Sequence, residues 1–461
     1  MIRKAAILAS VSLASLAAPV AAQDSATLKA EMAEMRAQMA AMTARMNALE
    51  AELAEVDAEA ETASAQAATA TVMAENAVTA VQDTAPQDAS APTIAFKGMP
   101  EIKAEGGWSF KPRGRLQYDA GIVSAPDGAG NDGLGSEARR ARLGASGSMP
   151  GGFGYKVELD FAGSDLTVTD AIITYKDDGL KVTAGHFNTF QGLEELTSSV
   201  HTTFLERAAF TDAFGFERRV GLGAEYKTGD VLLQGGVFTD NMDDLSNKNW
   251  SVDGRAVVMP KMGDTQLHLG GSVHYTGLED GSTVRYRQRP LVHFTSDRYI
   301  NTDRIAATSE LGLGLEAAVI AGPFHAQAET YWQKVSTPLG AADPTFFGGY
   351  ASVGYYLTKG DTRGYKGGVF GRAKPANPVG EGGMGSVQVN LRYDHLDLND
   401  AGILGGTQNG YFASLAWKPT DYTMLLLNYG RLDYSDAALP AATGDTDYSV
   451  DVMGVRAQID F

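Results

Sequence analysis

The chain of 461 residues contains no cysteine, so neither disulfide staples nor thiolate chemistry enter its design, although it reads as made for an oxidising compartment. Long apolar runs are few and the mean hydropathy is only −0.16, which excludes a bundle of membrane helices. A net charge of −18 excludes nucleic acid as a partner, because a phosphate backbone is gripped by basic side chains. Catalytic constellations are missing as well. The seven histidines, His186, His201, His268, His274, His293, His325 and His395, form no zinc-like pair, and no Gly-x-Ser-x-Gly elbow or phosphate-cradling loop occurs. The chain therefore reads as a non-enzyme without catalytic residues, cofactor or metal; His186 and His201 read as pore-lining imidazoles.

What is present is glycine, at 53 residues, with 18 Tyr and 18 Phe, a composition that favours many short strands and turns. The amino terminus predicts a secretory signal: Arg3 and Lys4, an apolar run over residues 5–18, then Pro19 and Val20-Ala21-Ala22 before Gln23. The run is too short to span a bilayer. From Leu28 onward, Met32, Met35, Met39, Met42, Met46, Leu49, Leu53 and Val56 recur at alternating steps of four and three, a heptad seam that needs partner helices. A methionine stripe at this spacing is packing material, not a metal or haem box. Pro86 and Pro92 mark a linker. The predicted organisation is a signal peptide over 1–22, a periplasmic coiled coil over 23–83, a linker over 84–99 and a membrane barrel over 100–461.

Beyond Phe96 the period becomes two. Phe153, Tyr155, Val157, Leu159 and Phe161 share one face, with Lys156, Glu158 and Asp160 on the other. The alternation returns at Val387, Val389, Leu391 and Tyr393, opposed by Gln388, Asn390, Arg392 and Asp394, and again at Tyr411, Ala413, Leu415 and Trp417. Polar inner faces repeated over hundreds of residues suit an aqueous lumen. The last stretch alternates Val455, Ala457, Ile459 and Phe461 with Gly454, Arg456, Gln458 and Asp460, and a strand ending on an aromatic residue resembles the assembly signal read by the outer-membrane barrel assembly machinery. At roughly 20 to 25 residues per strand with its turn and loop, the region holds about 14 to 18 strands, centred on 16.

One stretch breaks the pattern. Residues 185–207, GHFNTFQGLEELTSSVHTTFLER, carry hydroxyls, carboxylates and a terminal arginine, unsuited to a lipid face and suited to a loop folded inward to narrow a pore. Arg285, Arg287 and Arg289, like Arg140 and Arg142, step by two. Arginine on the lipid side costs about 2 to 4 kcal/mol at the midplane, so Arg285, Arg287 and Arg289 either line the lumen, the favoured placement, or sit in an exposed loop. Arg139 points the other way, toward a rim. The acidic excess is uneven, with 12 acidic against 3 basic residues between Gln23 and Phe96. Much of the rest lies in turn-like segments such as TDNMDDLSN, GLEDGS and TGDTD, which read as solvated loops.

Several blocks in order carry a resemblance: Trp108-Ser109-Phe110-Lys111 with Gly114-Arg115-Leu116-Gln117, then Ala138-Arg139-Arg140-Ala141-Arg142-Leu143-Gly144, Gly192-Leu193-Glu194-Glu195-Leu196-Thr197-Ser198-Ser199 and Leu205-Glu206-Arg207. The chain resembles the phosphate-selective porin O and P family across its barrel. The resemblance implies an all-β, 16-stranded antiparallel transmembrane barrel behind an N-terminal helical coiled coil, assembled as a homotrimer in outer-membrane lipid. It implies an arginine ladder, to which Arg140, Arg142, Arg285, Arg287 and Arg289 are assigned, leading small anions such as phosphate or other oxyanions through the pore. It places Arg115 and Arg207 at the central anion site, with Ser198 and Ser199 as neutral donors and Asp170 as the nearby carboxylate. At Glu195 and Val200 the chain departs from phosphate-specific members, which resemble one another in carrying lysines there. A general diffusion porin, and an envelope tether built on the coiled coil, are the alternative readings.

Overall fold

The computed structural model describes residues 33, 36, 37, 39, 40, 42–47, 92–244 and 248–461. The chain divides into two units, 1–89 and 90–461. The signal peptide read over 1–22 lies outside the described residues, as does most of the coiled coil. The described residues between 33 and 47 are helical, and Met39, Met42 and Met46 are exposed on the single chain.

The second unit is a closed antiparallel barrel of sixteen strands. In chain order they are β1 (Ser109–Ser124), β2 (Gly133–Ser148), β3 (Phe153–Asp160), β4 (Thr167–Asp177), β5 (Leu180–Asn188), β6 (Arg218–Thr228), β7 (Val231–Phe238) and β8 (Trp250–Val258). They continue as β9 (Thr265–Gly277), β10 (Ser309–Ala321), β11 (Phe324–Ser336), β12 (Thr345–Tyr356), β13 (Ser386–Asp400), β14 (Ile403–Thr420), β15 (Thr423–Ser435) and β16 (Tyr448–Asp460). Each pairs with its neighbour, and β16 closes on β1 in a register running from Asp451↔Ser124 to Asp460↔Arg115. Closure leaves no unpaired wall edge in lipid, where unmet backbone groups are costly. A hairpin, Thr93–Lys97 and Met99–Lys103, turns at Gly98 (φ 82°) and pairs with the start of β1 through Ile102↔Phe110. The last part of the stretch read as a linker is thus already a strand.

The two-residue period is the period of the wall. On β13, Val389, Leu391 and Tyr393 face outward while Gln388, Asn390, Arg392 and Asp394 are buried. On β16, Met453, Val455 and Ile459 face outward and Arg456, Gln458 and Asp460 inward. The interior is not uniformly wet. Phe204, Phe210, Phe214, Tyr286, Tyr331, Phe346 and Phe412 belong to one apolar cluster that fills the side walled by β11–β15. The open space is left against β1–β6.

Three connections occupy the interior or cover it. Residues 189–217, between β5 and β6, contain two short helices, α1 (Leu193–Leu196) and α2 (Ala209–Ala213). Residues 278–308, between β9 and β10, form two miniature ladders, Thr283–Val284 with Ile305–Ala306 and Arg287–Gln288 with Ile300–Asn301. Both enter from the end opposite the chain termini. Residues 357–385, between β12 and β13, lie at the end that carries the termini, where connections in such barrels are usually short turns, and include the hairpin Gly364–Lys366 with Val369–Gly371.

A pore neck built from two walls and one loop

The loop 189–217 is fastened by its own backbone. Buried carboxylates receive its amides: Leu193 and Glu194 each donate to Glu329, both at 2.7 Å, Phe190 donates to Asp253 at 3.1 Å and Ala209 to Asp394 at 2.9 Å. Asn428 accepts from Leu205 at 2.8 Å, while Gln117 and Gln458 donate to the carbonyls of Ser199 and Val200. An irregular segment inside a barrel must meet its backbone groups with side chains, and here partners come from strands all around the lumen. Gly192, at φ 70° with the Glu329 carboxylate 2.8 Å from where a Cβ would stand, starts α1 where no side chain fits.

Arg115 on β1 donates to Ser199 Oγ at 2.9 Å and Ser198 Oγ at 3.5 Å and pairs with Glu158 at 3.3 Å. Arg142 on β2 pairs with Asp160 at 2.6 Å and Glu158 at 3.1 Å. Asp170 on β4 lies between Lys156, at 2.5 Å, and Arg218, at 3.3 Å. All of these but Asp160 line a cavity of 310 Å³ toward the terminal end. A second cavity, of 440 Å³ toward the opposite end, is lined by Arg139, Arg140, Arg207, Glu206 and Arg289 among others. Arg142, Glu195 and Arg218 belong to the walls of both and form the neck between them.

Arg207 faces the second cavity, not the first, and its guanidinium is spent on the loop itself. It donates to the carbonyls of Glu194, Glu195 and Thr197 at 2.9–3.0 Å and pairs with Glu195 at 3.3 Å. The structure therefore brings Arg115, Ser198, Ser199 and Asp170 to one cavity and leaves Arg207 on the other side of the neck. Arg140 is buried, with Gln117 Oε1 3.0 Å from its Nη1, and among the described residues no carboxylate lies within ion-pair distance of it. Arg139 does not turn to the rim. The register of β1 and β2 slips between Gln117↔Arg140 and Tyr118↔Ala138, and this bulge turns Arg139 inward as well, onto Glu206 at 2.7 and 3.0 Å.

Arg285, Arg287 and Arg289 stand on no barrel strand; of the two placements left open they take the loop. Their step of two comes from the miniature ladder within 278–308. Arg285 and Arg287 are exposed, and Arg289 lies 3.9 Å from Asp212. With Arg298 they border a cavity of 430 Å³.

Two carboxylates of the loop answer differently to their surroundings. Burial pushes the Glu206 carboxyl up, but Arg139, Arg140 and Arg456 outweigh it and hold it well below the usual range. Burial raises the Glu195 carboxyl above its ordinary value, which Arg207, Arg218 and Arg140 offset only in part. Val200 turns away from both pore cavities into a small space beside His201, so His201 is not a pore-lining group. Arg218 of the neck and its neighbours Lys156, Glu158 and Asp160 were not singled out by sequence as site residues. The alternation places the last three inward; Arg218, first residue of β6, carried no such signal.

Residues 110–461 match the family described as phosphate-selective porin O and P. The chain belongs to that family. This porin is 48% identical over 404 residues, 84% of its length and 81% of the relative's, to an uncharacterized protein of Caulobacter vibrioides. It is 30% identical over 367 residues, 71% of its length and 82% of the relative's, to Porin O of Pseudomonas aeruginosa. Its fold is similar to that of the outer-membrane protein OmpT of Vibrio cholerae, solved in a trimer form, with a TM-score of 0.50 at 11% identity, covering 77% of this porin and 100% of OmpT. Family and fold are those of an outer-membrane channel rather than an enzyme.

Proposed function

We propose that this porin conducts small anions, phosphate and other oxyanions among them, with little preference for phosphate over chloride. The observation that carries the reading is the neck, where Arg142 and Arg218 border both cavities with Glu195. An anion descending from the larger cavity meets Arg140, which among the described residues has no carboxylate within ion-pair distance, then the two neck guanidiniums, then Arg115 with the hydroxyls of Ser198 and Ser199. Guanidinium forks match oxyanion geometry, and hydroxyls add donors without over-binding. A conducting site must also release its ion, and the carboxylates Glu158, Asp160 and Asp170 compete with it for the same cations. Arg285, Arg287, Arg289 and Arg298 form the outer rungs of the ladder, on the loop rather than the wall. Glu195, where phosphate-specific members resemble one another in carrying lysine, supplies a negative charge at the narrowest point.

The test is a reversal potential under a salt gradient in planar bilayers. Anion preference in the wild type, abolished in Arg142→Gln with Arg218→Gln, is the expected result; cation preference in the wild type overturns the assignment. A general diffusion porin is the second reading, favoured by the larger cavity, which as many carboxylates as guanidiniums line. Three copies assemble through the N-terminal heptads, whose Met39, Met42 and Met46 are exposed on one chain; OmpT of Vibrio cholerae was likewise solved in a trimer form. The coil stands in the periplasm, and the barrel assembly machinery inserts the chain. Removing residues 24–84 leaves a folded, conducting barrel; loss of all conductance in that variant contradicts a modular coil.

A further inference from the structure

The loop 357–385, the inward loop and the wall formed by β13 and β14 meet around a narrow cavity of 20 Å³, separate from both pore cavities. Two cations face it. Arg363 is 6% exposed; its Nη2 donates to the His201 carbonyl at 3.0 Å, its guanidinium lies 4.3 Å from the centre of the Phe370 ring, and its buried Nε has no hydrogen-bond partner. Lys418 is 7% exposed, and its Nζ reaches only the Asp421 carbonyl, at 3.5 Å. No carboxylate lines the cavity. Asp460 is bonded to Arg372, and Asp361 accepts the Ala376 amide at 2.6 Å and the Thr358 hydroxyl. The remaining polar wall consists of Tyr356, Ser386, Gln388, Thr202, Thr203 and His201; Thr202 donates to the Ser199 carbonyl and Gln388 to Asn390, which leaves the Ser386 and Thr203 hydroxyls as donors toward the cavity. The His201 imidazole registers the uncompensated charge: burial, then Arg372, Lys418 and Arg363, push it down to about 3, so it remains neutral.

Buried cations with no carboxylate in contact are disfavoured, and a water molecule, being neutral, adds no counter-charge. The volume decides among anions. A space of this size holds about one water-sized particle, which admits a monatomic ion and excludes a tetrahedral oxyanion with four oxygens. We infer that the cavity between Arg363 and Lys418 is an occluded site for a single halide ion, chloride in a physiological medium, which ties the loop 357–385 to the wall and to the inward loop. The ion sits where three separate parts of the chain join, so its presence holds the terminal-end constriction in place without lying in the permeation path.

Crystals of the full-length protein grown with bromide in place of chloride test this directly through bromine anomalous scattering. The expected result is an anomalous peak in hydrogen-bonding contact with both Lys418 and Arg363. A cavity that holds only water, or nothing, in molar bromide overturns the site. Hydrogen exchange on the wild type is the companion measurement and requires no variant to fold. If opening of residues 363–373 releases the ion, protection of their amides rises up to about tenfold for each tenfold rise in halide above its dissociation constant. That rise is expected with chloride and bromide and absent with gluconate at equal ionic strength; protection indifferent to the anion overturns the lock. In Lys418→Met the halide dependence disappears while the wall strands stay protected, and retention of the full dependence in that variant counts against Lys418 as a ligand.

Discussion

The loops 189–217 and 357–385 both occupy the lumen, yet they are held in different ways. The first is fastened by side chains from β1, β8, β11, β13, β14, β15 and β16 to its own amides and carbonyls. The second is tied to both the first loop and the wall: the Phe370 amide donates to Thr197 Oγ1 at 3.2 Å, Arg363 reaches the His201 carbonyl, and the Phe370 ring joins Leu193 and Ile320 in an apolar cluster. Its wall contacts include Arg255, donating to the Gly368 carbonyl at 2.8 Å, Arg372 on Asp460, the Tyr365 hydroxyl 2.6 Å from His268 Nδ1, Thr362 donating to the Gly322 carbonyl at 2.7 Å and Trp417 donating to the Met384 carbonyl at 2.8 Å. A constriction can therefore be built in order, with one loop anchored to the barrel and another anchored both to the barrel and to that loop.

The largest effect is expected from Glu329→Ala. It strands two buried amides of α1 and the Tyr350 hydroxyl, 2.7 Å from Glu329, and each unmet group costs about 1 to 3 kcal/mol. Thermal unfolding should shift markedly downward, and hydrogen exchange should quicken in both loops; faster exchange in 189–217 alone would show that the second loop stands by itself. Phe370→Ala comes next, at about 3 kcal/mol for removing a buried aromatic ring. Exchange should quicken over 363–373 only, conductance should rise, and anion preference should hold. A lost preference would mean that the second loop, not the neck, selects.

Arg142→Gln with Arg218→Gln leaves both loops seated and removes two neck charges, each worth at least about 1 kcal/mol to a passing anion. The anion-to-cation permeability ratio should fall on the order of tenfold. Glu195→Gln has the smallest and opposite effect, raising that ratio roughly fivefold at neutral pH. Because burial raises the Glu195 carboxyl, it gains its proton above the ordinary glutamate range, and the wild type should become more anion-preferring as pH falls through that point. Asp212 and Glu217, raised likewise by burial, move in the same direction. The variant should therefore keep only part of the pH dependence, and a response as steep as the wild type's would remove Glu195 from the neck.

The barrel was legible in the sequence because a strand wall between lipid and water imposes a period of two on every segment, as on Val389 through Asp394, and because sixteen such segments fit the length. The inward loop was legible because residues 185–207 break that period with polar groups that lipid excludes. The bulge at Arg139 was not, since one extra residue in a strand leaves composition and local pattern almost unchanged while reversing the direction of a side chain. Nor was the placement of Arg285, Arg287 and Arg289, because a short ladder in a loop and a barrel strand share the same period. The entry of residues 357–385 was hidden for another reason: a stretch rich in glycine and proline reads as a turn, and only contacts far away in sequence, with Thr197, His201 and Leu193 of the inward loop and with Arg255 and His268 of the wall, turn it inward. Sequence alone determined which faces of the chain meet lipid and which meet water. Tertiary structure decided which arginines remain available to an ion, because pairing with Glu158, Asp160, Asp170 or a loop carbonyl depends on distances across the barrel that no local pattern encodes.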